Sequence, residues 1–256
     1  MYFTDIENFK SSTGYDIAGV WYPRVTSIVS IKAKPALYKY YAGLPSFAAG
    51  EAIKAKSAEE GTLLHECVEG ILGGKDLPIP ASVKPAVQAF RDFQNQHKII
   101  AHEMETRVVS KQHHYAGTMD VLAEIDGVLG VLDIKTSLAI YRDYGIQTAA
   151  YIEALKERPT LPALVRWVLR LDQARNCIRG CGAKMRDKGG NEKIRLAKGK
   201  GSTTCVHVWG DQIGDVEFQE LKGIQADTAA FLASKTLWEW EHDYWLRQIA
   251  PTAHRR

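Results

Sequence analysis

Asp120, Asp133 and Lys135 are the residues of this 256-residue chain whose types and spacing most directly suggest chemistry. Asp133 and Lys135 stand two apart in VLDIKTS, and alternate residues of a strand project from one face. Asp120 closes the segment AGTMD, and Asp126-Gly127, a strong hairpin signal, would fold it back beside them. Two carboxylates and a lysine converging at one sheet edge are costly unless something neutralises the carboxylates. A hard cation does so: Mg²⁺ binds one or two carboxylates and completes its shell with waters and phosphate oxygens. Lys135 would then serve as a point charge on the phosphate, or orient an attacking water.

A second constellation is Cys177, Cys181, Cys205 and His207, spaced C-x3-C-x23-C-x-H. Three thiolates and an imidazole make a complete tetrahedral Zn²⁺ set. Gly182 follows Cys181, as in zinc knuckles where backbone amides turn toward the sulfur. The polar residues of 183–204 cannot supply a core, so a structural zinc would give the segment a reason to order. Reduced, unliganded cysteines are the other reading of these residues alone.

These residues need elements to position them. Residues 1–31 read as short strands and turns, with an edge strand or hairpin around Pro23. Residues 35–57 are helical in composition, broken around 43–45. A helix over 57–70 carries Leu64, Val68 and Ile71 at helical spacing, and another over 83–96 aligns Val83, Val87, Phe90 and Phe93. The period then changes to two, giving strands at 99–110, 116–124 and 128–134. A helix over 139–155 and a strand over 164–171 follow. Residues 206–209 and 216–218 read as strands flanking a turn. A helix over 227–248 closes the chain, with Phe231, Trp238 and Trp245 repeating every seven residues. The order helix, three strands, helix, strand predicts an α/β core with a mixed sheet.

The ordered set GTLLHECVE (His65), GTMD (Asp120), DIK (Asp133, Lys135) and QTAAY (Gln147, Tyr151) resembles the RecB-like branch of the PD-(D/E)XK nuclease superfamily. That branch includes the CRISPR-adaptation and many phage exonucleases. The resemblance covers about residues 61–171. It implies a restriction-endonuclease-like core in which Asp120, Asp133 and the Ile134 main-chain carbonyl hold Mg²⁺ or Mn²⁺, with His65 as a further ligand. Imidazole suits Mn²⁺ better than Mg²⁺. Lys135 would activate water, Gln147 and Tyr151 would support the DNA strand or that water, and Glu105 in ETRVVS would be auxiliary. The implied activity is metal-dependent DNA hydrolysis, most simply exonucleolytic, in repair, recombination or phage DNA processing. A structure-selective or site-specific endonuclease and a non-catalytic DNA-binding module are the alternatives. Relatives of this kind often carry a four-cysteine iron–sulfur cluster. Here Cys67 lies inside the motif helix rather than before it, so that match is poor. The implied partner is DNA, single-stranded or at ends, with a helicase or recombination protein as a further candidate. On this reading the chain is a single domain overall, made of an N-terminal β/α region at 1–60 packed on the core, the core at 61–171, a Cys/His basic insert at 172–210, and a closing strand and helix at 211–256.

Composition is ordinary for a globular chain, 45% apolar and 25% charged. Nothing approaches a membrane span, and the N-terminus lacks the pattern of a signal peptide, so a cytoplasmic protein is expected. The net charge of +3 is uninformative until it is placed. Residues 184–200 hold Lys184, Arg186, Lys188, Lys193, Arg195, Lys198 and Lys200 against Asp187 and Glu192, a net +5 that leaves the remainder near −2. A basic finger of that kind could follow a phosphate backbone.

Overall fold

The computed structural model describes residues 3–159, 161–196 and 204–249. Its elements are α1 (Ile6–Thr13), β1 (Gly14–Ile17), β2 (Val20–Pro23), α2 (Val25–Val29), α3 (Pro35–Ala42), α4 (Phe47–Leu72), α5 (Lys84–Gln96), β3 (Ile99–Ser110), β4 (Tyr115–Ile125), β5 (Val128–Lys135), α6 (Asp143–Lys156), β6 (Val165–Cys177), β7 (Lys184–Arg186), β8 (Lys193–Arg195), β9 (Trp209–Glu220), α7 (Ile224–Glu241) and α8 (Asp243–Ile249). A seven-stranded mixed sheet runs β3-β4-β5-β6-β7-β8, with β9 also paired to β6. Among the described strands of this sheet β5 and β6 are the parallel pair, and α6 supplies the crossover that parallel neighbours need. Among the described residues no helix is long and apolar enough to cross a membrane.

Both faces of the sheet are covered. One core joins α1, α2, α6, α7 and α8 to β4 and β5 through Phe9, Ile28, Met119, Tyr151, Phe231 and Trp238. The other joins α4 and α5 to the opposite face through Leu64, Val68, Phe90, Val121, Leu132 and Leu169. The Phe231, Trp238 and Trp245 stripe does pack into the first core. A buried ion pair ties its helix to the sheet: Arg166 Nη2 lies 2.9 Å from Asp227 Oδ2, with its other nitrogen 2.7 Å from the Gly145 carbonyl.

Several expectations are corrected. Residues 6–13 form a helix, because Asp5 caps it by accepting the Asn8 N–H at 2.8 Å. The hairpin is β1–β2, turning through Ala18 and Gly19, both with positive φ. Val25, Ile28 and Val29 bury one side of a short helix despite their β-branched character. Residues 47–72 are one helix rather than two. The expected turn between 209 and 216 is the interior of the continuous strand β9. Gly214 is there because α5 packs so close that any Cβ would strike the Pro85 carbonyl and Ala89. The closing helix breaks at His242, whose ring nitrogen Nδ1 lies 2.8 Å from the Trp238 carbonyl oxygen. The expected boundaries at 60/61, 171/172 and 210/211 all fall inside elements, namely α4, β6 and β9.

Candidate metal centres and nucleic-acid groove

The β4–β5 ladder is paired from Ile125–Val128 to Val121–Leu132 and stops there, one step before Asp120 and Asp133 would face each other. Beyond that point Asp120 Oδ2 takes the Ile134 N–H at 2.7 Å. Across the other edge of β4, Glu105 on β3 has φ 46° and breaks the pairing between Met104–Val121 and Thr106–Met119. The side-chain alternation of β4 is interrupted at the same level. Tyr115 and Met119 enter one core, while Val121 and Ala123 enter the other. The irregular backbone therefore sits where the acidic residues meet.

Asp133 and Lys135 do project together, with Lys135 Nζ 2.7 Å from Asp133 Oδ1. Gln147 donates to the same oxygen at 3.2 Å and lies 2.9 Å from the Tyr151 hydroxyl. Asp133 is 0% exposed, and its Oδ2 is buried with no partner. Burial pushes its carboxyl up to about 6, with Asp120 adding to the effect and Lys135 opposing it. Burial likewise raises Asp120, against the pull of Lys135 and the Ile134 N–H. The Lys135 ammonium is held above its ordinary range, because the two aspartates outweigh its own desolvation.

His65 on α4 reaches this centre, close enough to feel the charges of Lys135 and Asp133. Burial, reinforced by Lys135, pushes it down to about 4, so the imidazole is neutral and free to be a ligand at neutral pH. Its helix also brings Glu69, absent from the expected set. His65, Glu69 and Glu105 place ligand atoms within 4.8 Å of one another. Glu105 is pushed up to about 7 by burial and by Asp120 and Glu69. Burial also raises Glu69. The available signal was the i,i+4 spacing of His65 and Glu69, which puts both on one helix face. Among the described residues the donor set whose atoms gather at this centre is His65, Glu69 and Glu105, which fits a divalent cation; the expected ligands Asp120 and Asp133 lie beside that set and are not part of it. The cleft over His65, Glu69, Glu105 and Thr136 has a volume of about 520 Å³.

Tyr151 does not reach the cleft surface. It is 1% exposed, and its ring lies where a Cβ on Gly117 would be, which explains the glycine of GTMD. Tyr151 therefore meets Gln147 from within the core and presents no surface of its own to the cleft. Another tyrosine does face the centre: Lys135 Nζ sits 5.1 Å from the Tyr144 ring, and Tyr141 packs edge-on to Tyr144.

The basic insert is docked on the core rather than free. Arg186 and Lys188 both donate to the Thr136 carbonyl, at 2.8 and 2.7 Å, directly after Lys135. Arg186 also pairs with Asp172, Lys184 with Asp215, and Arg195 with the Leu138 carbonyl. Lys193 sits 4.0 Å over the Tyr40 ring. The expected extended DNA-binding finger is thus largely engaged in intramolecular contacts. Lys198 and Lys200 lie outside the described residues. What the docking creates is a groove of about 820 Å³ running from Lys32, Lys34 and Tyr40 past Tyr141 and Tyr144 to Gln147. Lys32 and Lys34 share one carboxylate, Asp143, so that end of the groove keeps a positive excess.

Cys177, Cys181, Cys205 and His207 also converge, with their ligand atoms all within 4.8 Å. Cys67 is not among them and packs in the second core. The three late cysteines and Cys67 therefore do not assemble as a four-cysteine cluster. No protein-family model matches the chain, and no curated protein matches it.

Proposed function

We propose that this chain is a divalent-metal-dependent DNA nuclease with a RecB-like PD-(D/E)XK core, acting on a single strand led along the groove to Asp133. The observation that carries this reading is the buried, half-unpartnered Asp133 carboxylate, paired with Lys135 and crowded by Asp120, directly behind Gln147, which lines a basic, tyrosine-bearing groove and donates to that carboxylate. The order α4, β3–β4–β5, α6, β6 supports the same core.

Asp120, Asp133, His65 and the Ile134 carbonyl would hold Mg²⁺ or Mn²⁺, with Glu69 and Glu105 beside them. When bound, the cation would polarise the scissile phosphate and lower the pKa of a bound water. Lys135 supplies positive charge where the phosphorane-like transition state gains negative charge. Gln147 fixes the Asp133 carboxylate and is itself fixed by Tyr151. Tyr141 and Tyr144 offer faces on which bases of any sequence can stack, and Lys32 and Lys34 suit the backbone phosphates. Such a groove favours single strands over duplex and fits digestion from an end.

The test is end-labelled single- and double-stranded DNA incubated with Mg²⁺, Mn²⁺ or EDTA. Mononucleotide or short-oligonucleotide release from single strands, lost in EDTA and in Asp133→Ala protein, is expected. Binding without hydrolysis under either metal would make the chain a DNA-binding module instead. Nicking of closed circular duplex would make it an endonuclease.

A further inference from the structure

We infer that Cys177, Cys181, Cys205 and His207 form a mononuclear tetrahedral zinc site that fixes the β7–β8 arm against the loop after Lys135. This inference is independent of the nuclease reading, since it concerns a different donor set at the far end of β6.

Geometry carries it first. With Zn–S near 2.3 Å and Zn–N near 2.0 Å, the sulfur–nitrogen edge of a tetrahedron is about 3.5 Å. Cys181 Sγ lies 3.4 Å from His207 Nδ1, and all four ligand atoms fall within 4.8 Å of one another. An iron–sulfur cluster interposes bridging sulfides and would spread its ligands further. The backbone is built for the same purpose. Cys177 ends β6, and the chain turns back through Gly180 and Gly182, with φ of 73° and 77°. That turn is closed by the Gly180 N–H on the Cys177 carbonyl and the Cys177 N–H on the Ala183 carbonyl. His207 is held from the other strand, where Ile178 N–H meets the Val208 carbonyl and the His207 ring packs on Trp209. The cysteines are free, so no disulfide competes for the sulfurs.

The consequence follows from topology. β6 is long enough to serve two neighbours on one edge. It pairs with β5 through Arg170, and with β7 at Arg175 and Asn176. The arm β7–β8 therefore lands just beyond Lys135, where Arg186 and Lys188 hold the Thr136 carbonyl and Gly189 N–H meets Glu60 on α4. β7 and β8 are three-residue strands with little apolar burial, so they cannot hold this register alone. The metal fastens the turn from which they spring. Zinc binds the cysteines as thiolates, and their protons pass to solvent.

The experiment is metal analysis of the full chain, alongside an Asp133→Asn protein in which any zinc held by the acidic centre is weakened. One zinc per chain, no iron, and retention in Asp133→Asn and Cys67→Ser are expected. Cys181→Ser and His207→Ala should lose it. Should those variants fail to fold, Co²⁺ added to the metal-stripped wild-type chain is the second readout. Tetrahedral d–d bands with thiolate charge transfer are expected, and their absence overturns the site. Chelation should also open the 184–195 arm to trypsin while the core resists. Unchanged cleavage would refute the fastening role. Zinc content unaffected by Cys181→Ser, or a stoichiometric iron chromophore, would refute the assignment itself.

Discussion

Replacing Asp133 with asparagine should change how stability depends on pH. The Asp133 carboxyl is fully buried, and burial pushes it up from an ordinary 3.8 to about 6. The folded state thus holds this proton more tightly than the unfolded chain does. Between those two values the folded state binds more protons, so this group makes stability fall as pH rises. The penalty grows from roughly 1 to 2 kcal/mol at pH 5 to roughly 3 kcal/mol at pH 7.5, at about 1.4 kcal/mol per pH unit. The asparagine side chain keeps the shape and an oxygen for Lys135 and Gln147 but cannot ionise. In EDTA, the stability of Asp133→Asn relative to wild type should therefore rise by roughly 1 to 2 kcal/mol from pH 5 to 7.5. Urea unfolding at each pH, read as midpoint times slope, measures it. Adding Mn²⁺ at pH 7.5 should narrow or reverse the difference, because only the wild-type carboxylate gains a cation. A difference flat with pH, and unmoved by Mn²⁺, would refute the argument that this carboxylate is stored at a cost for a metal.

Glu69→Gln should weaken Mn²⁺ binding by roughly tenfold or more, measured by calorimetry, if Glu69 belongs to the metal environment. Tyr151→Phe removes the hydroxyl paired to Gln147. It should slow hydrolysis by about fivefold to tenfold, the worth of one hydrogen bond of about 1 kcal/mol, while leaving DNA affinity unchanged. Lys32→Ala with Lys34→Ala should lower single-strand affinity and reduce the salt slope by about 0.7 per lost phosphate contact. Lys184→Ala, whose charge is matched by Asp215, should leave both unchanged. Asp227→Ala strands the buried Arg166 guanidinium and should destabilise the fold by about 3 kcal/mol or more in urea.

The parts of the site legible in the sequence are those set by short-range geometry. The two-residue spacing of Asp133 and Lys135, the Asp126-Gly127 hairpin and the four-residue spacing of Gln147 and Tyr151 each follow from a backbone period, and each recurs in the structure. What was not legible depends on partners far along the chain. Glu69 gains meaning only when β3 brings Glu105 across to α4. The basic residues of the insert looked free because their acceptors, the Thr136 and Leu138 carbonyls, are backbone atoms some 50 residues earlier. The resemblance gave Tyr151 a role in supporting the DNA strand or the attacking water, and its burial was not legible because Gly117, which makes room for its ring, lies on another element. Gly214 read as a turn residue for the same reason, since its cause is the close approach of α5.

The central claim is that Asp120, Asp133 and Lys135 hydrolyse DNA with a divalent cation. The most direct measurement is time-resolved digestion of a 5′- and a 3′-labelled single strand by wild-type and Asp133→Ala proteins in Mn²⁺ and in EDTA. The expected result is progressive shortening by wild type in Mn²⁺ alone. Equal cleavage by Asp133→Ala, or intact DNA under every metal tried, would contradict it.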